Sequence, residues 1–136
     1  MKKLILVGLL LIFGCTPPSE VDAKPKIQGS KLLGGYWWAY YKEYKSTVIY
    51  QFTKKNGKLR AYSVEVREDN GKKHQDYSLA LEVTSFPNNR GKAKYHYNYK
   101  GKKYKINSNL KLTGKKLQVS YSYYGSQYTE IWTKAK

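Results

Sequence analysis

The sequence predicts an all-β domain, a small closed barrel of eight antiparallel strands connected in up-and-down order. Two observations predict it: apolar and polar side chains alternate along eight successive segments, and short turn sequences separate most of these segments. The chain of 136 residues fits one domain. Closing the sheet would remove the exposed edges that a linear meander leaves. A two-sheet β-sandwich is the alternative arrangement.

The alternation is clearest over residues 75–84, 92–99, 102–112 and 116–124, and weaker over 36–44, 46–54, 58–68 and 127–134. Turns rich in glycine and asparagine, such as residues 55–57, 69–71 and 100–101, lie between them. In the segment 75–84, unbroken alternation places Tyr77 on the buried face and Asp76 on the exposed one. The predicted core includes Trp37, Trp38, Tyr50, Phe52, Tyr62, Val64 and Val66.

The first fourteen residues have the pattern of an export signal. Lys2 and Lys3 precede an apolar run of about ten residues, which is too short for a spanning helix of about twenty. The small residue Gly14 then precedes Cys15. We therefore interpret residues 1–14 as a cleaved signal peptide and not as a transmembrane anchor.

The sequence Ile12-Phe13-Gly14-Cys15 resembles the lipobox of bacterial lipoproteins. This resemblance implies cleavage before Cys15, the only cysteine, and lipid (diacylglycerol, palmitate) on its sulfur. Cys15 is thus the predicted lipidation site, and the lipid would hold the chain at a membrane. The expected location is the extracytoplasmic face of the cell envelope. Because Thr16 and not aspartate follows Cys15, the resemblance implies the outer membrane in a Gram-negative source; a Gram-positive source implies the cell membrane.

The rest of the chain divides into two parts. Residues 15–35 carry prolines, glycines and no apolar period, which is typical of a flexible tether. Residues 36–136 form the predicted barrel domain.

The barrel segments resemble the calycins, the group of lipocalins and fatty-acid-binding proteins. The resemblance rests on Gly35-Tyr36-Trp37, on the closing residues 128–134 and on the meander between them. It implies a barrel that holds a small apolar ligand. Fifteen tyrosines add to this expectation, because buried hydroxyls need partners, which a ligand, another tyrosine or solvent at the barrel mouth could supply. The candidate cavity-lining residues are Trp37, Tyr77, Tyr95, Tyr97, Tyr104, Tyr121 and Tyr123.

The net charge of +17 falls to +15 once Lys2 and Lys3 are removed, which exceeds what solubility needs. Lysines concentrate between Gly91 and Lys105, and crowding them on one hairpin costs stability that a bound anion would relieve. The candidate anion-binding residues are Lys92, Lys94, Lys100, Lys102, Lys103 and Lys105. The alternative role of these lysines is to keep strand edges from aggregating. Nucleic acid is disfavoured as a partner, because alternation puts lysines and tyrosines on opposite faces and export removes the chain from it.

Catalytic and metal-binding motifs are missing from the sequence. His74 and His96 fall at predicted solvent-exposed positions, and no ligand spacing for zinc, nucleophile elbow or phosphate loop occurs. We therefore expect no enzyme activity, no metal and no cofactor. The leading hypothesis is an envelope binding module whose lysine-rich face engages anionic polymer or membrane surface. The alternatives are a lipocalin-like carrier or sensor of a small apolar or aromatic ligand, and an interaction or immunity-type protein with an acidic partner.

Overall fold

The computed structural model describes residues 30–135. A one-turn helix α1 precedes eight strands, and a 3-10 turn at Lys42–Tyr44 joins the first two strands. The strands are β1 (Gly35–Tyr41), β2 (Ser46–Lys55), β3 (Lys58–Glu68), β4 (Lys73–Ser85), β5 (Arg90–Tyr99), β6 (Lys102–Thr113), β7 (Lys116–Tyr123) and β8 (Ser126–Lys134); α1 is Ser30–Leu33. Each predicted segment overlaps the strand of the same rank.

Each strand pairs antiparallel with the next one, and β8 returns to pair with β1. The predicted eight-stranded up-and-down barrel is therefore confirmed, and the sandwich alternative is wrong. In the part of the chain that the structure covers, no helix has the length and apolar character needed to cross a membrane.

Two junctions in the barrel wall are short, and we call them the seams. At the first seam, β1 and β8 pair at two positions only, Trp37 with Lys134 and Trp38 with Thr133. At the second seam, only residues 81–85 of β4 pair with β5, and their partners lie within residues 92–95. Both paired regions lie toward the end where the chain enters, which we call the closed end. Toward the opposite, open end the strands at both seams separate, so the seams divide the wall into β1–β4 and β5–β8.

The closed end is filled by apolar side chains. Leu33 of α1 and Phe86 of the β4–β5 connection are fully buried there, and the Leu33 carbonyl accepts a hydrogen bond of 2.8 Å from Trp37 Nε1. Gly35 joins α1 to β1 with φ of 90°, a conformation that favours glycine. The end of the predicted tether over 15–35 thus contains α1, whose Leu33 packs at the closed end.

The core follows the inward positions of the strands. The largest fully buried side chains are Trp37, Trp132, Phe86, Leu33, Leu59, Leu81, Leu117 and Val119. The predicted core residues Tyr50 and Phe52 are also buried, and Trp132 stacks on Tyr50 with ring centroids 3.8 Å apart. Trp38 is 39% exposed, because neighbouring residues on a strand face opposite sides and Trp37 takes the inner one.

A β-bulge in β4 changes which side chains face inward. The strand pairs Ala61 with Leu81 but Tyr62 with Leu79, so Ala80 has no partner on β3. One extra residue in one strand reverses the alternation beyond it. In β4, the side chains before Ala80 therefore face the side of the sheet opposite to the one that unbroken alternation predicts.

The reversal corrects the prediction for Tyr77. Its ring stacks on Tyr62 with centroids 4.8 Å apart, and the residue is 71% exposed. Tyr62 itself lies on the outer face, since its neighbours Ala61 and Ser63 are buried. Tyr77 is thus an outer-surface residue at the rim of the second seam, and Asp76 takes the inward position.

Candidate functional site

Tyrosines surround the open end of the barrel. A cavity of about 450 Å³ opens there. Its tyrosine lining consists of Tyr41, Tyr44, Tyr95, Tyr97, Tyr99, Tyr121, Tyr123 and Tyr128. Four of the predicted cavity residues, Tyr95, Tyr97, Tyr121 and Tyr123, are among them. Trp37 is not, because it packs against Phe52 in the core with ring centroids 6.3 Å apart.

The tyrosine rings on β5–β8 stack on one another. Tyr95 and Tyr121 stand 4.4 Å apart between centroids, and Tyr97 and Tyr104 5.3 Å apart. Each such pair contributes about 0.5–1.5 kcal/mol beyond the burial of its area. The rings therefore form a stiff aromatic lining, and their hydroxyls supply polar atoms to the barrel interior.

Glu130 of β8 is the hydrogen-bond acceptor at the base of this cavity. Its Oε1 accepts from Tyr41 Oη at 2.6 Å and from Trp132 Nε1 at 3.0 Å. Its Oε2 accepts from Tyr121 Oη at 2.7 Å and from Tyr95 Oη. Four donors thus occupy both carboxylate oxygens, and they come from β1, β5, β7 and β8.

The hydrogen-bond network continues from Glu130 into β2. The Tyr41 and Tyr50 hydroxyls lie 2.5 Å apart. Because Tyr41 gives its single proton to Glu130, Tyr50 is the donor in this contact. Tyr41 and Tyr50 belong to the β1–β4 side of the wall and Glu130 to the β5–β8 side, so the network ties the two sides together where backbone pairing is missing.

The surroundings keep these tyrosines protonated. Burial raises the pKa of Tyr41, Tyr95 and Tyr121 above its usual value, and the negative charge of nearby Glu130 raises it further in each case. All three hydroxyls therefore remain donors to Glu130 at neutral pH.

A second carboxylate, Asp76, lies inside the barrel because of the bulge in β4. Ser63 donates to Asp76 Oδ2 at 2.5 Å, and Ser78 donates to the same oxygen at 3.0 Å. Asp76 borders a cleft of about 590 Å³ at the second seam. The cleft is also lined by Tyr50, Tyr77, Tyr95, His96, Tyr97, Asn98, Lys103 and Tyr104, among others. The predicted cavity residue Tyr104 therefore lines this cleft.

The predicted anion-binding lysines lie along the β5–β6 hairpin. Four of them, Lys92, Lys94, Lys103 and Lys105, occupy outward positions, while Lys100 and Lys102 lie at the hairpin tip. The residues directly opposite the first four are asparagine or histidine, in the pairs Lys92–Asn109, Lys94–Asn107, Lys103–Asn98 and Lys105–His96. The expected cost of directly opposed lysines is therefore avoided at these positions, and the six charges are spread along the hairpin.

The outer face of β5–β7, which we call the lysine wall, has no acidic neighbours on its own strands. Residues 87–129 contain ten lysines and arginines and no aspartate or glutamate. Residues 35–85 contain nine basic and six acidic residues. Within residues 30–135 every ion pair involves arginine or histidine, and none involves lysine. The positive charge is thus concentrated and unpaired on one side of the barrel.

Both histidines lie beside glutamates. His74 Nε2 is 3.4 Å from Glu68 Oε2, and His96 Nε2 is 3.5 Å from Glu82 Oε1. In the described range no group of three histidine, cysteine, aspartate or glutamate side chains could hold a metal ion.

The fold and site define a small closed β-barrel with one open, tyrosine-lined end, two interior carboxylates and a lysine-rich outer wall. No protein-family model, curated protein or solved structure matches the chain.

Proposed function

We propose that the chain is a non-enzymatic, lipid-anchored binding protein of the cell envelope whose lysine wall engages phosphate-bearing polymer or lipid headgroups. The observation that supports the proposal best is the run of residues 87–129, with ten basic residues and no acidic one. Eight of these basic residues lie on β5, β6 and β7, which are adjacent in the barrel, so most of the charge lies on one side of it.

The kind of charge favours a diffuse anionic partner. The wall carries lysine almost exclusively, and lysine is a hydrated point charge on a flexible stem, whereas arginine grips one phosphate in a fixed geometry. The neighbouring outward side chains on β6 and β7 are mostly polar and uncharged, for example Asn107, Asn109 and Gln118. Such a surface attracts repeated phosphates by long-range electrostatics, which salt weakens.

The lysine wall is tested with the full chain and long-chain polyphosphate as the probe polymer. We expect the variant Lys92→Gln/Lys94→Gln/Lys103→Gln/Lys105→Gln to bind at least about tenfold more weakly at low salt. We also expect its plot of log affinity against log salt to be shallower by about 3 units, because each of the four phosphate contacts contributes roughly 0.7–0.9 to that slope. Affinity measured across a salt series gives both quantities.

The matched control removes the same charge from the other side of the barrel. Lys54, Lys55, Lys58 and Lys72 are exposed residues of the β2–β4 region, and their replacement by glutamine should leave most of the binding intact. Equal losses in the two quadruple variants would show that only net charge matters and would refute a defined wall. Vesicles containing phosphatidylglycerol, tested with a Cys15→Ser chain that cannot take lipid, distinguish a lipid surface from a polymer.

The lipid anchor is a separate part of the proposal. Cys15 and the signal peptide lie outside the described residues, and the support for lipidation is the lipobox resemblance of residues 12–15. We expect the wild-type chain expressed in bacteria to incorporate labelled palmitate and to fractionate with membranes, and Cys15→Ser to do neither. Label in the Cys15→Ser chain would contradict the assignment.

A further inference from the structure

We propose that the cleft at the second seam binds an organic ammonium group, with Asp76 as its counter-ion, and that the ligand carries a phosphate next to the ammonium. This site shares Lys103 with the lysine wall, but its defining group is Asp76, and it goes beyond the function proposed above. The ligand class is therefore a zwitterionic phosphate ester of the phosphocholine or phosphoethanolamine type.

Asp76 has a free oxygen in this cleft. Both serine hydroxyls that contact the carboxylate donate to Oδ2, and in the described chain no donor is bonded to Oδ1. No lysine, arginine or histidine nitrogen of residues 30–135 forms an ion pair with it. A half-buried carboxylate with one oxygen fixed and the other unused is suited to a cationic ligand, since a charge out of bulk water is stabilised by an opposite one.

Glu130 makes a useful contrast. Its two oxygens accept four hydrogen bonds from Tyr41, Tyr95, Tyr121 and Trp132. Neither Glu130 oxygen is available to a ligand, because protein donors occupy both. Glu130 therefore holds the strands together, and Asp76 is the carboxylate that can accept a hydrogen bond from a ligand.

The other walls of the cleft suit an alkylammonium group. Tyr50, Tyr95, Tyr97 and Tyr104 line it together with Asp76. Cations are attracted to the faces of such rings, and aromatic residues with a carboxylate are the usual way in which proteins bind quaternary ammonium groups. The hydroxyls and carboxylate also make this cleft less suited to the purely apolar ligand that the calycin resemblance implies.

We infer a phosphate on the ligand from the positive charge around the cleft. Lys103 lines the same cleft as Asp76, and Lys105 follows on the same outer face of β6. A simple cation would meet this positive rim, whereas a zwitterion places its phosphate at the rim and its ammonium at Asp76.

The test titrates the full chain with phosphocholine and phosphoethanolamine, using choline and inorganic phosphate as comparison ligands, and measures binding by calorimetry or NMR. We expect Asp76→Asn, which keeps the shape and the serine contacts, to weaken phosphocholine and choline binding at least about tenfold. Lys103→Gln should weaken phosphocholine binding severalfold and should not weaken choline binding. Lys111→Gln, on the same face of β6 but near the closed end, is the matched control and should change neither.

Circular dichroism confirms that each variant is folded. Phosphocholine binding that survives Asp76→Asn unchanged, or that inorganic phosphate alone reproduces, would overturn the proposal and assign the binding to lysines. Absence of binding by every probe up to about 10 mM would also overturn it. Competition by short-chain phosphatidylcholine micelles distinguishes a lipid headgroup from a free ester. The lysine-wall variant and its polyphosphate assay do not involve Asp76, so the two proposals fail separately.

Discussion

Replacing Glu130 with alanine is expected to lower the free energy of unfolding by about 3–6 kcal/mol. The substitution removes the acceptor of four hydrogen bonds, from three tyrosine hydroxyls and one indole N–H. A buried donor without an acceptor costs about 1–3 kcal/mol, and the total is reduced because some of these hydroxyls can reach solvent at the mouth. Since typical domains are stable by about 5–15 kcal/mol, much of the stability would be lost. Urea unfolding followed by circular dichroism measures the loss.

Glu43→Ala is the control for this experiment. Glu43 lies at the same end of the barrel in an exposed turn, so its loss changes the net charge equally without removing an interior acceptor. We expect a change of about 0.5 kcal/mol or less. If Glu130→Ala cost no more than Glu43→Ala, the interior network would contribute nothing to stability.

Gly91→Ala is expected to destabilise the barrel strongly, although it adds only one methyl group. A Cβ at residue 91 would lie 2.0 Å from the Ser85 carbonyl oxygen and 2.8 Å from Phe86 Cα. Both contacts are with backbone, and Phe86 is fully buried at the closed end, so neither can move aside without displacing the core. We expect a loss of at least about 3 kcal/mol, seen as a fall in melting temperature of about 12 °C or more.

Gly114→Ala separates a steric clash from loss of glycine as such. No atom lies within 4 Å of a Cβ at residue 114, and its φ of 59° leaves only the ordinary penalty of a left-handed conformation, about 1 kcal/mol. Similar melting temperatures for the two variants would show that Phe86 and Gly91 do not pack as tightly as the structure indicates.

The strand order could be predicted from sequence because each strand buries one face and turn residues mark each reversal. The turn at residues 100–101 is an example: Gly101 predicts a reversal there, and both residues have positive φ. The outward positions of Lys92, Lys94, Lys103 and Lys105 were also predictable, since they follow directly from alternation along the hairpin.

The interior carboxylates could not be predicted in the same way. Asp76 faces inward only because Ala80 is bulged, and a bulge depends on contacts between β3 and β4 that leave no local pattern. Glu130 is two residues before the buried Trp132 and so shares its face. This spacing is visible in the sequence. The rule that charged residues face solvent is overridden there by hydroxyl donors from distant strands. α1 was missed because one turn of helix is too short to show a period.

The two seams determine how the width of the open end can change during evolution. Where strands are fully paired, the backbone fixes their separation at about 4.8 Å. Beyond the paired parts of the seams, the distance between the β1–β4 side and the β5–β8 side depends instead on tyrosine side chains. Their size and hydroxyl contacts set it, and the residues are Tyr41, Tyr50, Tyr95 and Tyr121. Replacing one of these tyrosines with a smaller or larger residue can therefore change the width of the open end while the backbone hydrogen bonds between strands stay the same.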